Sequence, residues 1–183
     1  MMDLLFVQPK TEHRKTVVDF VRAFDEHGQP LIHGTDELSA FDVLHDADAY
    51  DDWLSYVYAP KGTNRFGYDK MPSSIYLALY GDGVVGMLNL RHELNEFLGM
   101  YGGHIGYTTH PDFEGRGVAT SMLAFGVQTL NELGVSDVLV TCSDDNVASA
   151  KVIEKCGGVL ERIITPDQPF EYGRAMRRYW IRK

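Results

Sequence analysis

Residues 114 to 119, Glu114-Gly115-Arg116-Gly117-Val118-Ala119, join two glycines to the start of an apolar periodic run. Before them a β-type stretch with Ile105, Tyr107, Thr108 and Thr109 stops at Pro111. After them Val118, Met122, Phe125, Leu130 and Leu133 recur at roughly helical spacing. The order is strand, glycine loop, helix, and it has a chemical consequence. The first turn of a helix carries backbone N–H groups without intrahelical partners and a partial positive charge. Glycines in the turn let an anion come close, so the loop suits a phosphate or pyrophosphate. Two common phosphate signatures are missing. No G-x-x-x-x-G-K-[ST] occurs, and Thr120 follows Gly115 and Gly117 where a dinucleotide fingerprint has its third glycine. A tight strand-to-helix turn without a ligand uses the same residues and is the competing reading.

The elements around this loop follow from periodicity and turn residues. Leu4 to Val7 reads as a strand. A helix capped by Thr11 presents Val17, Phe20, Val21 and Phe24 on one face and ends at Gly28 and Pro30. Asp36 to Tyr58 reads as one or two helices burying Leu38, Phe41, Leu44, Trp53, Leu54 and Val57, and Pro60 to Pro72 as a loop. Strands Ser74–Tyr80 and Val84–Arg91 flank the hairpin signal Gly81-Asp82-Gly83. A short helical piece, Glu93 to Leu98, precedes a strand from His104 to Thr109. Then come a helix from Gly117 to Leu133, a strand from Val138 to Thr141, a helix from Asn146 to Cys156, and strands Val159–Ile164 and Tyr172–Ile181. The crossover from the His104 strand to the Val138 strand predicts a parallel pair. No repeat or low-complexity segment divides the chain, so 1–183 reads as one domain. Residues 1–73 would shape one side of a site and residues 74–183 would form its core.

Charge placement says more than its sum. The net charge is -9, which excludes a general nucleic-acid binder. Between Arg22 and Lys61 there is no Lys or Arg, yet Asp25, Glu26, Asp36, Glu37, Asp42, Asp46, Asp48, Asp51 and Asp52 fall there. Such a surface would steer a cationic partner; a solvated helix face explains it equally. No apolar run reaches membrane length, and Met1 to Pro9 lacks the features of a secretion signal. Two cysteines, Cys142 and Cys156, make no disulfide framework. The expectation is a soluble cytoplasmic protein. The sequence does not set the oligomeric state, and a homodimer is compatible with it.

The loop and two flanking motifs resemble the GNAT superfamily of acyl-CoA N-acyltransferases. That family's loop reads [Q/R]-x-x-G-x-[G/A]; this chain matches at Gly117 and Ala119 and departs at Glu114. Asn146-x-x-Ser149 before Ile153 and Gly157 resembles the family's N-x-x-[A/S]-x-x-x-Y-x-x-x-G-F helix, with Ile153 in place of the tyrosine and Gly158 in place of the phenylalanine. Asn89 to Asn95 followed by Gly102-Gly103-His104-Ile105-Gly106-Tyr107 is similar to a poorly characterised bacterial group of predicted acetyltransferases.

The resemblance implies an α/β (α+β) fold: a mixed, mostly antiparallel sheet of about seven strands, a splayed parallel pair and about four helices. It implies acetyl-CoA as cosubstrate, no metal, and transfer of the acetyl group to a primary amine of a small molecule or peptide by direct attack. Thr109 would pair with the pantetheine arm through its backbone. Gly115, Arg116, Gly117, Val118 and Ala119 would hold the pyrophosphate, and Asn146 and Ser149 would meet the arm or cap their helix. His104 is a candidate general base, or a structural histidine. Glu93 and His92 are alternative bases, or surface charge. Tyr107, Ser149 or water would protonate the leaving thiolate in place of the missing tyrosine, or no acid is used, since a thiolate leaves well at neutral pH. Arg91 would bind an acceptor carboxylate or balance Glu93. Arg174, Arg177, Arg178, Arg182 and Lys183 would meet the cofactor's 3′-phosphate or form an exposed strand face. The alternative is a non-catalytic acyl-CoA-binding sensor or interaction module, suggested by Ile153 and Glu114.

Overall fold

The computed structural model describes residues 2–30, 33–165 and 174–183. Among the described residues seven strands and four α-helices are formed. In chain order they are β1 (Leu5–Val7), α1 (Arg14–Glu26), α2 (Ala49–Val57), β2 (Ser73–Tyr80), β3 (Gly83–Arg91), β4 (Ile105–Thr109), α3 (Val118–Glu132), β5 (Asp137–Ser143), α4 (Val147–Lys155), β6 (Val159–Ile164) and β7 (Met176–Arg182). The α/β class and the helix count agree with expectation. No described helix is long and apolar enough to cross a membrane.

The strands form two antiparallel ladders, one in the order β1-β2-β3-β4 and one in the order β5-β7-β6. Alternation along each strand feeds two cores. Met87 of β3 joins a cluster with Val17, Phe20 and Phe24 of α1 and Trp53 and Val57 of α2. Its neighbours Leu88 and Leu90 join the opposite cluster with Val118, Met122 and Leu130 of α3, Ile153 of α4, and Val138, Val140 and Tyr179. The protein is therefore three layers, with α1 and α2 on one face of the strands and α3 and α4 on the other. A strand sandwiched this way must be apolar on both faces, and β3 is buried from Val84 through Leu90.

Four local expectations change. Thr11 does not cap α1: it opens a short 3-10 turn, closed by the Lys10 N–H donating to His13 Nδ1 at 3.0 Å. Between Asp36 and Tyr58 only Ala49–Val57 is α-helical; the rest is a 3-10 turn, Leu38–Ala40, and irregular chain, and Val43 rather than Leu44 is buried there. The helical piece before β4 runs later than expected, as a π-turn over Leu98–Gly102. The last strand begins at Met176; its expected start, Tyr172, lies outside the described residues.

Candidate active site

β4 and β5 sit at the facing edges of the two ladders, yet they share no ladder of their own. Hydrogen bonds join them just before β4 begins. The N–H of His104 donates to the Leu139 carbonyl at 2.7 Å, and the Leu139 N–H donates to His104 Nδ1 at 2.9 Å. Beyond this contact β4 pairs with β3 on one side, Gly106 opposite Asn89 and Thr109 opposite Gly86. On its other side Gly106 to Thr109 have no strand partner among the described residues. Unpaired backbone N–H and C=O groups in the middle of a fold need partners, so this edge is where an amide-bearing ligand would lie.

The reciprocal bond also fixes the chemistry of His104. The residue is 8% exposed, and burial is the main cause holding its pKa below the ordinary value, with Arg91 adding to it. Because Nδ1 accepts the Leu139 N–H, the neutral ring carries its proton on Nε2. In that state it has a donor to offer and no spare lone pair.

Tyr107 reaches across the open side. Its hydroxyl lies 2.8 Å from Ser149 Oγ on α4. Burial pushes the Tyr107 phenol up to about 12, and Ser149 and Cys142 are among the groups acting on it. Ser149 is placed by the first turn of α4, where Asn146 Oδ1 accepts the Ser149 N–H at 2.9 Å. Asn146 is thus an N-cap, the residue type best suited to that position. Ile153 is fully buried in the core and presents nothing to the gap. Cys142 is buried, free, and raised to about 11 by burial, which makes it an inert structural thiol.

The glycine loop enters α3 through Gly117, which stands at the N-cap position with φ +86. That backbone needs glycine. Gly115 and Gly117 have no other atom within 4 Å of where a side chain would begin, so the space before the helix is open. Val118 is buried and anchors the first turn, with Ala119 packed partly against the same core. Glu114 is exposed and extended. Arg116 lies over the Phe113 ring at 5.2 Å.

Other expected residues turn out to be engaged elsewhere. Glu93 pairs with Lys61 and both are more than half exposed. His92 Nε2 meets Ser74 Oγ at 3.0 Å. Arg91 donates to the carbonyls of Gly102 and Gly103, at 3.3 and 3.0 Å, and so shapes the turn into β4. Arg174 and three arginines of β7 have partners: Arg174 with Asp145, Arg177 with Asp144, Arg178 with Glu161, Arg182 with Asp137. Arg178 is 6% exposed, which corrects the expectation of a solvated face at that residue. The acidic stretch is partly neutralised as well, Asp36 by Lys70, Asp51 by Arg14 and Asp52 by Arg65. A groove of about 590 Å3 lies between α3 and the end of α4, lined by Thr120, Gln128, Asn131 and Cys156.

One cluster was not foreseen. The Gly34 backbone lies directly on β4: a side chain there would begin 2.6 Å from the Tyr107 Cα and 2.7 Å from the Gly106 carbonyl. Two residues on, Asp36 and Glu37 both adopt positive φ, 49 and 64. Asp36 is buried against Lys70 and accepts from the Asn89 amide at 3.2 Å, while Glu37 accepts from the Tyr68 hydroxyl. The Lys70 ammonium also stands 4.5 Å over the Tyr56 ring. The only sequence signal was the run Gly34-Thr35-Asp36-Glu37, rich in turn formers.

Comparisons with known proteins agree on this architecture. The family described as an acetyltransferase (GNAT) domain matches residues 20–159. Among solved structures, RimJ of Mycobacterium smegmatis in complex with CoA-disulfide has a TM-score of 0.70 at 18% identity, covering 97% of this chain and 80% of that one. MccE, a microcin C7 self-immunity acetyltransferase bound to acetyl-CoA and AMP, has a TM-score of 0.65 at 14% identity, over 99% and 93%. A Salmonella typhimurium acetyltransferase that modifies the N-terminal serine of a 50S ribosomal subunit protein has a TM-score of 0.63 at 16% identity, over 100% and 96%. No curated protein matches by sequence.

Proposed function

Since the chain belongs to the GNAT acetyltransferase domain family, we propose that it transfers an acetyl group from acetyl-CoA to a primary amine of a small molecule or a peptide. The observation that carries this reading is the open β4 edge, with a hydroxyl pair, Tyr107 and Ser149, at its side. Acetyl-CoA supplies an activated acetyl thioester. The backbone of Gly106 to Thr109 is suited to pair with the pantetheine amides. The N–H groups from Gly115 to Ala119 are suited to the pyrophosphate, where the open space and the helix dipole favour negative charge.

The acceptor nitrogen attacks the acetyl carbon as a neutral amine, the C–N bond forms, the C–S bond breaks, and the proton lost from nitrogen passes to water, from which the donor to sulfur is recharged. Tyr107 holds a proton at its hydroxyl at any neutral pH. It is the donor we assign to the departing sulfur, with Ser149 orienting it. His104 is assigned a different task from the one its position suggested. With Nδ1 committed to Leu139 it clasps the two strands and cannot take a proton from the amine. Three of the nine acids of the stretch are paired with Lys70, Arg14 and Arg65, which weakens the attraction for a cationic acceptor without removing it.

Titration calorimetry with acetyl-CoA, followed by free-thiol release in the presence of amines, tests this reading. An acetyltransferase binds and releases thiol with at least one amine class. The sensor reading, which rests on the buried Ile153, predicts binding alone.

A further inference from the structure

β6 presents an outer edge that nothing covers among the described residues. It pairs only with β7, so its other side offers unpaired backbone N–H and C=O groups. Three large apolar side chains on these six residues are exposed: Val159 by 68%, Leu160 by 45% and Ile163 by 49%. So many on one short strand is a patch and not scatter. The strand, Val-Leu-Glu-Arg-Ile-Ile, carries neither the proline nor the lysine with which an edge is usually guarded.

A bulge decides which face each residue uses. Leu160 pairs with Tyr179 and Arg162 with Arg178, leaving Glu161 as the extra residue. Tyr179 points to α4, where its hydroxyl donates to Glu154 at 3.0 Å. Arg178 points the other way, to the Met100 carbonyl at 2.7 Å and to Glu161 at 2.7 Å. Arg162 lies on that same side, near the Met100 sulfur. Alternation along β7 returns Arg177, the partner of Ile163, to the α4 face. Leu160 and Ile163 therefore share one face, and Glu161 and Arg162 share the other.

We propose that β6 is a homodimer interface, with two copies of this chain pairing antiparallel about a two-fold axis between Glu161 and Arg162. In that register Leu160 faces Ile163 of the second copy, Val159 faces Ile164, and Glu161 faces Arg162. Every apolar residue meets an apolar one and each charge meets its opposite, on matching faces. Opposed pairs of both kinds stabilise an antiparallel ladder. Sliding the register by two residues either way sets Leu160 or Ile164 against Glu161, so one register is specified. The second copy is the occupant because the strand is complementary to itself, as an isologous contact requires. Glu161 is already held by Arg178 on the face where the second copy's Arg162 would meet it.

Sedimentation velocity on the intact chain over about 1 to 100 µM, the range in which weak to moderate dimers dissociate, reads the assembly. The expected species has twice the 20.6 kDa mass of one chain and dissociates on dilution. Ile163→Lys, at an exposed position, weakens it at least about tenfold with unchanged circular dichroism. Oxidation of the double variant Leu160→Cys/Ile163→Cys gives a covalent dimer, while neither single variant exceeds the wild type, because neither residue faces itself. A monomer throughout the range, a dimer indifferent to Ile163→Lys, or equal cross-linking by a single cysteine would overturn the proposal.

Discussion

His104 and Leu139 hold each other by a reciprocal pair of hydrogen bonds, N–H to carbonyl at 2.7 Å and N–H to ring nitrogen at 2.9 Å. This is the hinge point at which two separate ladders are brought together and from which the β4 edge opens. Removing the ring leaves the Leu139 N–H buried and unpaired. His104→Ala is therefore expected to cost about 1 to 3 kcal/mol in urea unfolding.

The burial of His104 sets a pH dependence. Burial holds the His104 pKa below its ordinary 6.5, so the folded state favours the neutral ring. Its contribution to stability is complete above pH 6.5 and is lost as pH falls through the lowered folded value. The wild type should lose melting temperature on the acid side of that point, and His104→Gln should lose less. The pH profile of turnover should keep its shape in the variant, since an imidazole base is not being removed. Loss of the acid limb in His104→Gln would return the base role to His104.

Tyr107→Phe removes the proton donor but keeps the ring in place. We expect kcat to fall by about 100-fold, the low end for general-acid catalysis because a thiolate leaves readily, with the KM for acetyl-CoA little changed. Ser149→Ala should give a smaller loss, since it orients the hydroxyl and does not donate to the sulfur. Steady-state kinetics on both variants separates the two roles.

The buried Asp36–Lys70 pair should behave as a coupled unit. Side-chain exposures of 10% and 4% leave both charges little access to water. Lys70→Met strands a carboxylate whose pKa burial already raises, and is expected to cost about 3 to 5 kcal/mol. Adding Asp36→Asn to that variant should recover most of the loss. A double-mutant cycle in denaturant measures the coupling.

Gly34→Ala is predicted to destabilise by about 1 to 3 kcal/mol, through both its φ of +70 and the contact with β4. The same change should raise the acceptor KM more than the acetyl-CoA KM if the Gly34 loop borders the acceptor side. Denaturant midpoints and two-substrate kinetics check the two halves of this statement.

Much of this arrangement could be read from the sequence. Val118, Met122 and Leu130 announced α3, and the glycines before it announced an open helix start, because periodicity and positive φ are local properties. Strands β2 to β6 were found for the same reason. What the sequence could not show depends on distant partners. His104 reads as a reactive imidazole until Leu139, 35 residues away, takes its lone pair. The split into two ladders rests on bonds that β4 and β5 fail to make. Asp36 looked like one acid in a solvated run, yet Lys70, 34 residues on, buries it. Tyr107 and Ser149 could each be named as replacements for the hydroxyl missing at Ile153, but that the two lie 2.8 Å apart, 42 residues from one another in the chain, could not.

The most direct test of the central claim is release of free thiol from acetyl-CoA against a panel of small-molecule and peptide amines, with wild type and Tyr107→Phe measured side by side and the acetylated amine identified by mass spectrometry. The account predicts turnover with at least one amine class, an acetylated product in equal amount, and a drop of about 100-fold in the variant. Acetyl-CoA bound in the calorimeter but no thiol released above background with any amine would contradict it, and would leave a cofactor-binding module in place of an enzyme.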